Sequence, residues 1–175
     1  MVSVANLALA GAVVAVRLIE LLVAHRNALR VLAQGGVEHG RRHYPWMVTL
    51  HAGLLLGSVV EPIVAARPFD AARFAAGVAA VGAATALRWW VMATLGQRWT
   101  TRVIVVPGLP LVTGGPFVYL KHPNYLAVVV EVAALPLAVG AWATAVVCSV
   151  LNGVLLLALR IPCEEAALGV RGRAT

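Results

Sequence analysis

Long apolar runs alternate with short polar stretches along this chain. A helix needs roughly 20 apolar residues to cross a bilayer. Five runs approach or reach that length, at about residues 2–24, 46–66, 71–95, 123–138 and 141–160. The fourth run is short, so we expect that helix to tilt or to begin earlier. The short turn Val139-Gly140-Ala141 joins the last two runs into a predicted helical hairpin. The pattern predicts one all-α integral membrane domain over residues 1–175, with about five transmembrane helices.

The polar stretches at residues 25–45 and 96–124 are predicted to be loops on one side of the membrane. Within the second, residues 99–106 have the composition of a strand, and Pro107-Gly108 favours a turn. Residues 109–112 are expected to return antiparallel to that strand. Such a hairpin either lies on the lipid headgroups or forms a flap over a pocket.

Composition and charge support the membrane assignment. Hydrophobic residues make up 61% of the chain and charged residues 12%, whereas soluble domains average about 25% charged. The net charge of +7 comes from basic residues that flank apolar runs, which indicates anionic lipids and topology rather than nucleic acid. Arg67 and Arg73 are predicted to face outside, and ten of the fourteen basic residues are predicted to face inside. This bias predicts an outer N-terminus and an inner C-terminus. The inner set is Arg26, Arg30, Arg41, Arg42, Arg98, Arg102, Lys121, Arg160, Arg171 and Arg173.

Several polar side chains fall inside or at the ends of the predicted helices. A charge at the bilayer centre costs at least about 2.5–3.5 kcal/mol, so each such residue requires a partner or a function. We take five of them as candidates for catalysis or substrate contact: Arg17, Glu20, His51, Arg88 and Glu131. Glu61, at the outer end of the second helix, is expected to be solvated. The two cysteines, Cys148 and Cys163, predict neither a disulfide nor a metal site.

Each of the five has a structural alternative. Arg17 and Glu20 are three residues apart, so they either pair with each other or line a substrate chamber. His51 either packs within its helix or acts as a base. Arg88 precedes Trp89-Trp90, which favours snorkelling to the interface. Glu131 has no cation nearby in sequence, so its partner is expected to be Arg17 or Arg88.

Two polar clusters flank the predicted hairpin. The first is Lys121-His122-Pro123-Asn124-Tyr125, and the second contains Arg160, Glu164 and Glu165. Folding of the hairpin brings both to the same membrane face. Pro123 fits a helix start, where backbone N–H groups favour anions. Arg160 can hold a carboxylate, and Glu164 or Glu165 can accept from an amino group or ribose hydroxyls. These groups suit a cation that carries an amino acid, such as S-adenosylmethionine, under the loop at residues 96–124 and beside a C-terminal segment at residues 160–175.

The residues at 115–125 and 160–165 resemble the motifs of the isoprenylcysteine carboxyl methyltransferase family. Gly115-Pro116-Phe117 through Lys121-His122-Pro123 carries the first part of the resemblance, with Lys121 where the family usually has Arg. Arg160-Ile161-Pro162-Cys163-Glu164-Glu165 carries the second. The first half resembles a bacterial branch through Arg17-Leu18-Ile19-Glu20-Leu21, Arg26-Asn27, and His43-Tyr44-Pro45-Trp46-Met47 leading to His51. That branch is similar to O-methyltransferases found beside type III polyketide synthases, which act on alkylresorcinols or alkylpyrones.

The resemblance implies a methyltransferase of the bacterial plasma membrane that uses S-adenosylmethionine at the cytosolic face. It also implies methylation of a carboxyl, phenol or enol oxygen on a lipophilic molecule that arrives from the bilayer. Two alternatives stay open: a non-catalytic transporter or scaffold protein, and an NADPH-dependent reductase of the same superfamily. The reductase needs further cationic groups for a 2′-phosphate, and few follow Glu165.

Overall fold

The computed structural model describes residues 3–169 and is almost entirely helical. Its helices are α1 (Val4–Ala33), α2 (Tyr44–Val64), α3 (Ala71–Leu95), α4 (Pro123–Val139), α5 (Trp142–Val154) and α6 (Ile161–Ala167). A π-helical turn, Leu155–Arg160, joins α5 to α6 without a break. Two short strands, β1 (Val37–His39) and β2 (Val103–Val105), complete the regular structure.

The helices have the lengths expected of an all-α membrane protein. Four stretches are long and apolar enough to cross a bilayer: Val4–Ala33, Tyr44–Val64, Ala71–Arg98 and Trp142–Ala167. The helix Pro123–Val139 is apolar but shorter, as the sequence indicated. Residues 71–95 form a helix with the predicted bounds.

Helix α1 is longer than predicted, because it continues to Ala33 rather than ending near residue 24. The charged residues after position 24 suggested a loop, but polarity alone does not end a helix. Asn27, Ala28 and Val31 are buried on this extension. The chain turns at Gly35, whose φ of +83° suits glycine.

The end of α5 also differs from the prediction. Residues 161–167 continue the helix, so the predicted C-terminal segment at residues 160–175 begins as part of it. The rest of that segment from residue 170, including Arg171 and Arg173, lies outside the described residues, as does residue 2 of the first predicted helix.

The strand partner expected for residues 99–106 was wrong. Strand β2 pairs antiparallel with β1, with Val37 opposite Val105 and His39 opposite Val103. The return at residues 109–112 is not a strand. The partner comes instead from the segment that follows α1, where Gly36 allows close approach. A Cβ on Gly36 would lie 2.9 Å from the Ile104 side chain.

Helix α4 lies at the centre of the helical packing. One face packs with α1 and α3 through Val13, Val81, Ala134 and Leu135. Another face packs Val128 and Val132 against Leu54 of α2 and Cys148 of α5. Lipid provides no hydrophobic driving force for helix association, so close packing between helices must provide it. Small residues allow that close packing. A Cβ on Gly77 would come within 2.3 Å of the Ala138 Cβ.

The α4–α5 hairpin closes at Gly140, which has φ +83°. Glu61 caps the start of α5, accepting hydrogen bonds from the backbone N of Ala143 at 2.9 Å and of Thr144 at 2.7 Å. Glu61 remains partly exposed, as expected, but the expectation missed its role as a helix cap. Unpaired N–H groups at a helix start attract a carboxylate. The Glu61 carboxylate therefore links α2 to α5. The hairpin leaves the start of α4 and helix α6 side by side at the opposite membrane face.

Candidate active site

The two sequence clusters meet where α4 begins and α6 follows α5. Tyr125, on the first turn of α4, is the shared residue. Its hydroxyl donates a hydrogen bond to Glu164 and accepts one from Arg160 Nε at 3.1 Å. Arg160 is buried and also donates through Nη2 to the Thr101 carbonyl at 2.8 Å. Tyr125 and Thr101 therefore fix the guanidinium and the carboxylate beside each other.

His122 and Lys121 lie beside this cluster: His122 approaches both glutamates, and Lys121 contacts Glu165. His122 Nε2 is 3.1 Å from Glu165 Oε1, and His122 Nδ1 is 3.8 Å from Glu164 Oε1. Lys121 Nζ is 2.7 Å from Glu165 Oε1. Interaction with Glu164, and after it with Glu165, raises the pKa of His122 above its ordinary 6.5 against the opposing effect of burial. The imidazolium form of His122 is favoured here.

A cavity of about 340 Å³ opens beside these residues, and we call it the inner cavity. Its polar side includes Lys121, His122, Asn124, Tyr125, Arg160, Glu164 and Glu165, and the loop after α3 adds Arg98, Thr100, Arg102 and Thr113. Its apolar side comes largely from the loop after α3, including Val103–Val106 and Leu109–Val112. Pro123, the first residue of α4, lies in the wall. The loop therefore covers a pocket rather than spreading away from it.

Sequence reasoning missed two residues that shape this loop. Trp99 is 4% exposed and lines the inner cavity. Asn27 of α1 donates through Nδ2 to the carbonyls of Trp99 at 2.9 Å and Gly96 at 3.2 Å. Asn27 lies in the stretch predicted as loop, and its signal in the sequence was the Arg26-Asn27 pair, which belongs to the resemblance of the first half to a bacterial branch.

A second polar group lies deeper, between α1, α3 and α4. Glu131 accepts from Arg17 through Nε at 2.9 Å and Nη2 at 2.7 Å, and also from Arg88 Nη2. Arg17 Nη1 pairs with Glu20, and Arg88 Nε is 3.9 Å from Glu20 Oε2. We call these four residues the charge cluster. Both predicted partners of Glu131 contact it, and the two positive and two negative charges balance.

Arg88 does not snorkel, which corrects the expectation for Arg88-Trp89-Trp90. It is 7% exposed and points at the two carboxylates. Trp89 donates its indole N–H to Glu20 Oε1 at 3.1 Å. Trp90 packs near Tyr119, with ring centroids 6.3 Å apart.

The one described hydrogen bond of the His51 side chain is within its own helix. Its Nδ1 lies 2.8 Å from the Met47 carbonyl one turn earlier on α2. Among the described side-chain hydrogen bonds, none joins His51 to the charge cluster. This geometry fits the packing alternative, and its role as a base stays a prediction.

The charge cluster and the inner cavity lie at two successive levels along α4. Six residues separate Tyr125 from Glu131, which is about 9 Å on an α-helix. On α3, Arg88 lies one turn before Val91 and two turns before Leu95, and both of these line the inner cavity. A ligand at one level would therefore be within reach of a second molecule at the other.

These features define a helical membrane protein with a polar pocket at one face and compensated charges within the helices. Comparison of sequences then identifies its family. The sequence model of the isoprenylcysteine carboxyl methyltransferase (ICMT) family matches residues 77–170, from α3 through α6. The chain belongs to the ICMT family, and it is therefore a membrane methyltransferase. Methyltransferases of this family generally use S-adenosylmethionine.

Two bacterial relatives match along most of the chain. A Bacillus subtilis protein with the name "Uncharacterized protein YpbQ" is 37% identical over 153 residues, covering 87% of this chain and 89% of its own. A Haemophilus influenzae protein, also called uncharacterized, is 27% identical over 157 residues, covering 89% of this chain and 90% of its own. No solved structure matches the chain.

Proposed function

We propose that this protein transfers the methyl group of S-adenosylmethionine to an oxygen of a lipophilic molecule. The acceptor oxygen belongs to a carboxyl group or to a phenol or enol hydroxyl, as in isoprenylcysteine-like compounds, alkylresorcinols or alkylpyrones. The observation that supports this most is the convergence of Arg160, His122, Glu164 and Glu165 around Tyr125 at one cavity.

The residues of the inner cavity fit S-adenosylmethionine. Arg160 and the imidazolium of His122 suit its carboxylate, and Glu164 and Glu165 suit its ammonium group. The apolar loop side of the cavity suits a flat base. The Oδ1 atom of Asn124 is buried and has no hydrogen-bond partner within residues 3–169, so an acceptor is left over for a ligand. Such orphaned groups usually require a function.

When bound, S-adenosylmethionine supplies an electrophilic methyl group on a sulfonium. The protein's part is to hold and align the two reactants and exclude water, which gives much of the rate. The loop after α3 covers the cavity from the aqueous side. Glu20 or His51 would accept the proton of a neutral hydroxyl acceptor, whereas Arg17 or Arg88 would stabilise an acceptor that is already ionised.

The proposal places the inner cavity at the cytosolic face of a bacterial plasma membrane. The orientation has the N-terminus outside and the C-terminus inside, with α4 as a tilted span in addition to the four longer ones. It is supported by the basic residues around the cavity face and by the two basic residues at the opposite face, Arg67 and Arg73. The acceptor would come from the bilayer between helices, and membrane lipids surround the protein.

Calorimetry with S-adenosylhomocysteine tests the cofactor. We expect the wild-type protein to bind it. We expect His122→Ala and Glu165→Ala to lose binding, because each removes one charged side chain from the wall of the cavity. His25→Ala is the control, since His25 is exposed on α1 away from the cavity. Unchanged affinity in both variants would contradict the pocket. Binding of NADPH instead of S-adenosylhomocysteine would favour the reductase alternative, and binding of neither would favour a scaffold.

A further inference from the structure

A second cavity opens on the outer surface of the helical bundle, between α1 and α3. It has a volume of about 280 Å³ and is lined by Val16, Ile19, Glu20, Trp89 and Met92. We call it the lateral cleft. Ile19 and Trp89 are 62% and 53% exposed on helices long enough to span a bilayer, so the cleft faces lipid. Four of its five lining residues are apolar or aromatic, and the fifth is a carboxylate.

The carboxylate is the informative feature. Glu20 is 4% exposed, and an ionisable group beside lipid is costly enough to be a functional candidate by default. Its Oε2 pairs with Arg17, whereas its Oε1 receives the Trp89 N–H at 3.1 Å. A carboxylate has about four acceptor sites, so Oε1 can take a second donor. A molecule that enters along the cleft could therefore donate a hydrogen bond to Oε1 of Glu20.

The cleft and the inner cavity share one apolar partition. Ala24, Val91 and Trp99 form a buried cluster against which Met92 and Leu95 pack. Met92 lines the cleft, whereas Val91, Leu95 and Trp99 line the inner cavity. Glu20 and Ala24 are one turn apart on α1, about 6 Å. A molecule whose head rests on Glu20 is therefore about one helical turn from the cavity proposed for the methyl donor.

We propose that the lateral cleft is the site where the lipophilic acceptor enters and its polar head first binds, with Glu20 as the hydrogen-bond acceptor for that head. The occupant is a single-chain lipophile whose head carries a hydroxyl or a protonated carboxyl. An apolar cavity of about 150 Å³ holds benzene, so the cleft accommodates a ring or a short head with the start of a chain. A phospholipid is disfavoured, because its phosphate would meet the carboxylate of Glu20.

Trp89 is the positioning residue in this arrangement. Its indole N–H holds Glu20, and its ring forms the lipid-facing wall of the cleft. The sequence pattern alone suggested an interfacial anchor. The inference rests on the proposed function, since the molecule admitted here is the acceptor of that reaction.

Two matched variants test the cleft. Ile19→Trp fills its wall, whereas Leu18→Trp adds the same bulk at a neighbouring position that is 57% exposed and does not line it. The proteins are placed in nanodiscs and exposed to a diazirine-bearing long-chain fatty acid, a diazirine-bearing long-chain alkylphenol and a diazirine-bearing phosphatidylglycerol. Mass spectrometry then locates the labelled residues.

We expect the fatty acid or the alkylphenol to label residues 16–20 and 89–92 in wild type and Leu18→Trp. We expect about tenfold less label in Ile19→Trp, because overfilled sites lose their ligand. Equal labelling of the two variants would overturn the proposal. So would labelling of the same residues by phosphatidylglycerol, which would make the cleft a general lipid groove.

Calorimetry with S-adenosylhomocysteine on the same three proteins separates the two proposals. Similar affinity in all three, together with loss of labelling in Ile19→Trp, supports both. Similar affinity with labelling that does not distinguish the variants rejects the cleft and leaves the methyl-donor pocket standing. No affinity in wild type rejects the proposed function, and the assignment of the cleft to its acceptor falls with it.

Discussion

At the residue scale, a substitution of Glu131 tests how much the charge cluster stabilises the fold. It accepts hydrogen bonds from both Arg17 and Arg88 and is 5% exposed. Removing one partner of a buried ion pair leaves an uncompensated charge and typically costs about 3–5 kcal/mol. We expect Glu131→Gln to lower the free energy of unfolding by that order, measured by thermal unfolding in detergent.

The control for Glu131→Gln is Glu38→Gln, which removes another glutamate that pairs with an arginine. Arg102 Nη1 lies 3.4 Å from Glu38 Oε2, and the Arg102 side chain is 39% exposed. Ion pairs with access to water contribute about 0–1 kcal/mol, so this change is expected to be small. Equal losses in the two variants would show that the charge cluster does little for stability.

His122 gives the site a pH dependence with a defined sign. Interaction with Glu164 raises its pKa above 6.5 in the folded protein. The folded state then binds the proton more tightly than the unfolded state, so the stabilisation is fully present below pH 6.5. It is lost as the pH rises through the raised pKa. We expect the unfolding temperature of wild type to fall over that interval.

His122→Gln separates this effect from other titrations. The variant keeps a hydrogen-bonding side chain but does not titrate, so we expect its unfolding temperature to vary less over the same interval. His25→Gln, at an exposed position of α1, is expected to follow wild type. A wild-type slope in His122→Gln would show that another group carries the pH dependence.

The sequence predicted the site residues whose side chains give a local signal. It did not predict residues that act by binding backbone groups. Residues 121–125 are contiguous, and Arg17, Arg88 and Glu131 stand out as charges in apolar runs. Asn27 acts on the Trp99 carbonyl, 72 positions away. Carbonyl groups occur at every residue, so no sequence pattern identifies that contact.

At the element scale, α3 approaches α4 most tightly at Gly77 among the described glycines of α3. A Cβ at Gly77 would lie 2.3 Å from the Ala138 Cβ and 2.8 Å from the Ala138 Cα, which belongs to the backbone. The helices must separate to accommodate it, and overpacking typically costs about 1–3 kcal/mol. We expect Gly77→Ala to lower the unfolding temperature in detergent.

Gly82→Ala is the matched control on the same helix. A Cβ at Gly82 meets nothing within 4 Å. Alanine is favoured over glycine inside a helix by roughly 0.5–1 kcal/mol, so this variant is expected to be neutral or more stable. If Gly77→Ala were as stable as Gly82→Ala, the close approach of α3 and α4 would be wrong.

Helices and strands were predicted correctly where the local sequence signals agreed. The predictions failed where an element depends on contacts with segments far away in sequence. Asp70 accepts from the Arg73 N–H at the start of α3, and the predicted helix at residues 71–95 is confirmed. The end of α1 was missed because burial of Asn27 and Val31 against distant segments outweighs the polarity of that stretch. Pairing of β1 with β2 joins residues 64 or more positions apart, which strand composition cannot specify.

At the whole-molecule scale, the proposal requires one orientation in the membrane. The inner cavity and the segment after α1 share one face, because β1 pairs with β2 and α6 packs beside them. The turn before α3 lies at the other face with the α4–α5 hairpin, since Arg73 and Arg67 come close to Gly140. A charged methyl donor made in the cytosol reaches the cavity only if the first face is inside.

Cysteine labelling measures this orientation. In a background with Cys148 and Cys163 changed to alanine, Gln34→Cys probes the cavity face and Phe69→Cys probes the opposite face, both at exposed positions. A membrane-impermeant maleimide added to intact spheroplasts is expected to label Phe69→Cys. It should reach Gln34→Cys only after lysis, because the eight basic residues within residues 3–169 that are predicted for that face favour the inner side of the membrane. Labelling of Gln34→Cys in intact spheroplasts would place the cavity outside, and no cytosolic methyl donor could then serve it.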